Sequence, residues 1–105
     1  MKMLETQAQF EEMWFGPPDT EPWIVYFTAK WCRPCQQLDS ELLAKVAEEK
    51  GIPMWKCELT VNDYTAGYCG VRSIPTFVYF KPKIMVSTLQ SSDTETVKSW
   101  IYSCA

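Results

Sequence analysis

The sequence predicts an α/β fold: a central mixed sheet of about five strands flanked by about four helices. Three observations carry that expectation. The run Trp23-Ile24-Val25-Tyr26-Phe27-Thr28 is apolar and β-rich throughout, as a strand buried on both faces would be. Further apolar segments alternate with segments of helical period. The last two strands, Thr76–Lys81 and Ile84–Leu89, are joined tightly around Pro82 and Lys83, so they pair as antiparallel neighbours.

The elements follow in chain order. After a brief first strand, Thr6 caps a short helix to Phe15, with Phe10, Met13 and Trp14 as its apolar positions. Gly16–Pro22 contains three prolines and reads as a loop. Beyond the strand Trp23–Thr28, one long helix is expected from Arg33 or Pro34 to Lys50. Pro34 falls in its first turn, where a missing N–H does no harm, and Gly51 ends it. Pro53–Val61 is a second central strand. Asn62 and Asp63 cap a third helix through Tyr68, ended near Gly70. Asp93 or Thr94 caps a final helix to Cys104. No repeat or linker divides the 105 residues, so one domain over 1–105 is expected.

Composition narrows the chemistry. Hydrophobic residues make up 47% of the chain, enough for a real core. The net charge is −3 with no basic block, so no nucleic-acid partner is expected. No apolar run approaches a membrane span, and Met1–Gln7 lacks the apolar stretch of a signal peptide. A cytoplasmic, reducing location is therefore expected, where cysteines are more often catalytic or free than structural. Five cysteines leave one over after any pairing. The absence of histidine removes imidazole general-base chemistry, Cys–His proteases and most mixed zinc sites. A zinc site would have to gather Cys57, Cys69 or Cys104 from scattered elements, and no metal is expected.

The most informative segment is Trp31-Cys32-Arg33-Pro34-Cys35, between the buried strand and the long helical pattern. Cysteines three residues apart become neighbours on a first helical turn and suit disulfide geometry. Free N–H groups at the helix start favour a thiolate at the first of them. The implied chemistry is thiol–disulfide exchange.

Here the sequence resembles the thioredoxin family. The resemblance rests on Trp31-Cys32-x-Pro34-Cys35 after a buried strand and on Ile74-Pro75-Thr76 leading a strand some forty residues later. Phe27–Cys32 and Gly70–Phe77 resemble family phrases, and the order of elements matches over nearly the full length. The resemblance implies a thioredoxin fold, a cis Ile74–Pro75 bond facing the cysteines, and backbone pairing of an extended substrate there. It makes Cys32 the nucleophile, Cys35 the more buried resolving thiol, and Trp31 and Ile74 an apolar rim. It implies a protein-disulfide reductase with no bound cofactor, recharged by a flavin- and NADPH-dependent thioredoxin reductase. A monomer is expected; Cys69 reads either as a quiet helix-end residue or, like Cys104, as a thiol able to join two molecules on oxidation.

The chain departs from the family pattern at several positions. Tyr26 stands where thioredoxins carry a buried Asp beneath the resolving cysteine; tryparedoxin-type proteins resemble this chain in having Tyr there. A phenol titrates near about 10 and is a poor base near neutrality. Tyr26 is thus either an aromatic filling a strand position or a sign of altered proton handling, with Glu58 on the neighbouring strand as a substitute carboxylate. Arg33 replaces the usual Gly; it either stabilises the Cys32 thiolate or points into solvent. Ser40 replaces a helix-kinking proline, which predicts a straighter helix. The turn at Pro82-Lys83 lacks its usual Gly, and Ser91 replaces a groove Gly. Cys57 reads as a small buried hydrophobe. Trp14, Trp55 and Trp100 read as packing residues, with Trp23 partly exposed at its strand start.

Two other functions compete. A glutaredoxin-like, glutathione-dependent reductase is disfavoured because the chain lacks the Gly-Gly pair expected after the proline strand. A redox-inactive interaction or scaffold subunit is disfavoured by the intact Cys32 and Cys35.

Overall fold

The computed structural model describes residues 1–104. Five strands and five helices occur among them: β1 (Lys2–Met3), α1 (Gln7–Trp14), β2 (Trp23–Thr28), α2 (Arg33–Gln36), α3 (Ser40–Glu49), β3 (Met54–Glu58), α4 (Asp63–Tyr68), β4 (Thr76–Lys81), β5 (Ile84–Gln90) and α5 (Thr94–Cys104). The strands form one mixed sheet in the order β1-β3-β2-β4-β5. β1 and β2 run parallel to β3; β4 runs antiparallel to β2 and to β5. This is the thioredoxin fold.

All six residues of β2 are buried, so the apolar run does mark the centre of the sheet. Successive side chains point to opposite faces of a strand. Ile24 and Tyr26 accordingly join Leu43, Val46, Phe77, Val97 and Ile101 in the core under α3 and α5. Trp23, Val25 and Phe27 join Leu4, Phe10, Cys57, Val78 and Phe80 in the core under α1 and α4. One strand thereby holds both cores together and ends at the cysteines.

The long helix expected from Arg33 to Lys50 is two helices. Gln37 closes α2, and Asp39 caps α3 by accepting a hydrogen bond from the Leu42 N–H at 3.2 Å. The Asp39 N–H is itself taken by the Thr94 hydroxyl at 3.1 Å. A short carboxylate that captures backbone N–H groups competes with helical continuity. Ser40 therefore starts a helix instead of straightening one.

β3 is shorter than the expected Pro53–Val61. It stops at Glu58, whose carbonyl accepts the N–H groups of Val61 and Asn62 at 2.9 Å each in a turn. Trp23, expected to be partly exposed, is 1% exposed and stacked on Phe80 with ring centroids 5.3 Å apart. Its Nε1 is buried without a hydrogen-bond partner.

α3 and α4 end alike. Gly51 and Gly70 take φ of +75° and +73°. Gly51 donates to Glu48 and Ile52 to Ala47; Gly70 donates to Gly67 and Val71 to Ala66. These paired bonds are the Schellman pattern, and glycine adopts its left-handed residue without a Cβ penalty. At the β4–β5 turn that conformation falls to Lys83, with φ +63°.

Candidate active site

β2 delivers the chain to Thr28, and the next turn is fixed by the Cys32 N–H donating to the Ala29 carbonyl at 3.1 Å. Cys32 is the N-cap of α2 and Cys35 the third residue of that helix. The two are joined by a disulfide with Cα atoms 5.3 Å apart. The Cys35 N–H donates to Cys32 Sγ at 3.2 Å, so sulfur takes the place that a Ser or Asp oxygen holds in an ordinary cap. Pro34 falls in the first turn of the helix, as the sequence predicts.

Burial does not separate the two cysteines in this oxidised state: Cys32 is 4% exposed and Cys35 3%. Access does. Cys32 lines an open groove of about 430 Å³, and Cys35 is not among the lining residues. The lining also includes Trp31, Arg33 and Pro34 from the cysteine segment, and Arg72, Ser73 and Ile74 from the loop before β4. Trp31 is 68% exposed, a wide apolar surface beside the sulfur.

The Ile74–Pro75 bond is cis. The Ile74 carbonyl oxygen lies 3.9 Å from Cys32 Sγ. Pro75 and Thr76 are buried behind the groove and do not line it. Thr76 closes the turn by donating its hydroxyl to the Ser73 carbonyl at 2.6 Å. The sequence reading missed Leu59, Val71, Arg72 and Ser73 as groove residues. Val71 and Arg72 lie in the phrase that carried the resemblance and were accessible from it. Leu59 required knowledge that β3 lies beside β2.

Tyr26 lies beneath the disulfide. Its hydroxyl donates to the Cys35 carbonyl at 3.4 Å, and its ring stacks on Phe77 at 4.7 Å. Burial raises its pKa, and the Thr28 hydroxyl offsets this only in part. The phenol is therefore neutral at physiological pH.

Glu58 does not take up the role of a carboxylate under Cys35. It pairs with Thr28 across the sheet and faces a separate polar cavity of about 150 Å³ lined by Thr28, Ala29, Lys30, Gln36 and Lys56, without Cys35. Its Oε1 accepts the Lys30 N–H at 2.9 Å; its Oε2 accepts the Thr60 N–H at 3.1 Å and the Thr60 hydroxyl. Burial works to raise the pKa of this carboxyl, but these hydrogen bonds outweigh it, and the pKa is lowered. Glu58 braces the turn that leads into Trp31 and Cys32.

The remaining cysteines are free. Cys57 is buried, as expected, and donates to the Asn62 carbonyl at 3.3 Å. Cys69 is only 8% exposed, packed in the core under α1 and α4, a position that fits the quiet helix-end residue and not the dimerising thiol. Burial pushes both thiols up to about 12. Cys104 is partly exposed. No cluster of metal-ligating side chains occurs among the described residues. No helix among them is long and apolar enough to cross a membrane.

Comparison with known proteins agrees with this geometry. The thioredoxin family profile matches residues 2–103. A thioredoxin-like protein of Synechocystis is 34% identical over 91 residues, covering 84% of this chain and 81% of that protein. A protein disulfide-isomerase A6 homolog of Caenorhabditis elegans is 34% identical over 89 residues; there the match covers 84% of this chain and only 20% of the longer protein. The thioredoxin of Plasmodium falciparum superposes with a TM-score of 0.84 at 25% identity, over the whole of both chains.

Proposed function

The chain belongs to the thioredoxin family, and from that premise we propose that it is a protein-disulfide reductase working through the Cys32–Cys35 couple. The observation that carries this reading is the disulfide at a helix N-cap, with one of its two sulfurs on an open groove.

In the reduced protein, Cys32 is the attacking thiolate. The Cys35 N–H that now reaches its sulfur stabilises the negative charge, and Arg33 adds a nearby cation. Thiolate Cys32 attacks one sulfur of a substrate disulfide. A Cys32–substrate bond forms, the substrate S–S bond breaks, and the released thiolate takes a proton from solvent. Cys35 then gives up its proton and attacks Cys32 Sγ. The second substrate thiolate leaves, two electrons have passed to the substrate, and the Cys32–Cys35 disulfide is restored.

The Ile74 carbonyl beside Cys32 is placed to pair with the backbone of an extended substrate segment, with Trp31 and Ile74 as its apolar rim. Pro75 and Thr76 hold that loop. We assign residues 1–105 to one thioredoxin domain that acts as a monomer, carries electrons in cellular redox homeostasis, and binds no cofactor of its own. A thioredoxin reductase using NADPH recharges it. Three unpaired cysteines beside a single disulfide support a reducing, cytoplasmic setting.

Insulin reduction, coupled to a thioredoxin reductase and NADPH, tests the assignment. Cys35→Ser should accumulate mixed disulfides through Cys32, and Cys32→Ser should trap none. Equal trapping by Cys32→Ser would reverse the roles of the two thiols. Efficient recharging by glutathione in place of the reductase would overturn the thioredoxin-type reading in favour of a glutaredoxin-type one.

A further inference from the structure

The groove beside Cys32 carries two guanidinium groups, Arg33 from the first residue of α2 and Arg72 from the loop before β4, and no carboxylate among its lining residues. Both arginines are exposed. The remainder of the lining is mostly apolar: Trp31, Leu59, Val71 and Ile74. The chain as a whole carries a net charge of −3, so this positive groove runs against the overall balance.

We infer that the groove selects disulfides in polypeptide segments that carry Asp or Glu within a few residues of the half-cystine. The inference rests on the reading of Cys32–Cys35 as a protein-disulfide reductase and narrows its substrate class. An apolar surface binds neighbouring side chains without regard to charge sign. Discrimination must then come from the charged groups around it, and both have the same sign. A segment lying along the Ile74 backbone with its sulfur at Cys32 passes between Arg72 on the loop side and Arg33 on the helix side. Arginine suits this role because its planar fork matches a carboxylate with two parallel hydrogen bonds. Partial exclusion of water in a groove strengthens such contacts relative to open surface. Lysine beside the half-cystine would meet two like charges with no acid to relieve them.

Pre-reduced protein, mixed in single turnover with three disulfide peptides, tests the inference. The peptides differ only in the residues flanking the half-cystine: Glu, Gln or Lys. Oxidation is followed by the fluorescence of the tryptophans. The Glu peptide should react faster than the Lys peptide by about tenfold at low ionic strength, with Gln between them. The ratio should shrink towards one at roughly molar salt, where the screening length is about 3 Å. Arg72→Gln should cut the ratio about threefold, and the Arg33→Gln/Arg72→Gln pair should nearly abolish it. Arg33 also acts on the Cys32 thiolate, but that effect is common to all three peptides and cancels in the ratio. Lys45→Gln, on the exposed face of α3, makes the same charge change away from the groove and should leave the ratio intact.

Equal rates for the three peptides, or a ratio unmoved by Arg72→Gln, would overturn the inference. Failure of the reduced wild type to reduce any of them would overturn the reductase reading beneath it.

Discussion

Tyr26 places a neutral hydroxyl against the Cys35 carbonyl and a ring against Phe77, where a carboxylate would have been able to accept a proton. Its raised pKa removes it as a base, and Glu58 is fully engaged elsewhere. In the proposed mechanism, the Cys35 proton must then leave to water in the resolving step. Tyr26→Asp should speed resolution of a mixed disulfide severalfold near neutral pH in a stopped-flow assay. It should also cost about 3 kcal/mol of stability, since a buried carboxyl replaces a packed ring. Tyr26→Phe should leave the rate unchanged and cost about 1 kcal/mol for the lost hydrogen bond. Unchanged resolution in a folded Tyr26→Asp protein would make the position one of packing alone. Glu58 gives a second test. Glutamine offers one acceptor oxygen and turns an amide against N–H donors, so Glu58→Gln should cost about 2 kcal/mol at neutral pH. The folded-state pKa of Glu58 is lowered, so its contribution is complete above the ordinary carboxyl value near about 4. It is lost as pH falls through the lowered value. Urea titrations of the two proteins should therefore converge in strong acid.

At the scale of elements, two glycines three residues apart obey opposite rules. Gly67 lies within α4, and a Cβ there would meet nothing within 4 Å. Gly67→Ala should add about 0.5–1 kcal/mol by helix propensity. Gly70 ends the same helix at φ +73° and its surroundings are equally open. Gly70→Ala should cost about 1 kcal/mol through the backbone alone. Denaturation midpoints moving in the same direction for both would refute this account of the helix end. Those glycine stops were legible in the sequence, as were the cores of β2, β3, β4 and β5, because a positive-φ cap and an apolar run each leave a local signature. The break at Asp39 was not. Ser40 drew attention as a missing proline, while the decisive contacts are an Asp39 cap and a Thr94 hydroxyl 55 positions away in sequence. The end of β3 was missed for a different reason: the turn that stops it is held by the Glu58 carbonyl and side chain, within a stretch whose composition continues the strand pattern.

For the whole molecule, β2 separates two cores, and the free thiols divide between them. Cys57 and Cys69 sit in the core under α1 and α4; Cys104 packs at the margin of the other. A thiol reagent at pH 8, added to the oxidised protein, should label Cys104 alone until denaturant opens the fold, and then three thiols. Rapid native labelling of Cys69 would show that its core is not closed. The site as a whole was half legible. Cys32 and Cys35 announce themselves by spacing and residue type, and Pro75 through the family resemblance, whereas the groove is made by strand order. β3 and β4 flank the end of β2, and that order brings Leu59 and Arg72 to the groove that Cys32 lines. The cap of α2 carries a last consequence. The Cys35 N–H bonds to Cys32 Sγ in the disulfide, and a thiolate left in that place would accept the same proton more strongly. The start of the helix is thus satisfied in both redox states and requires no substitute partner when electrons arrive or leave. The protein can alternate between its two states without a mechanical stroke, as a battery terminal does and a hinge does not. Amide chemical-shift changes on reduction should accordingly fade within the loops around Cys32, Leu59 and Ile74, leaving α1, α5 and β5 unchanged and the pace of turnover to encounters with partners.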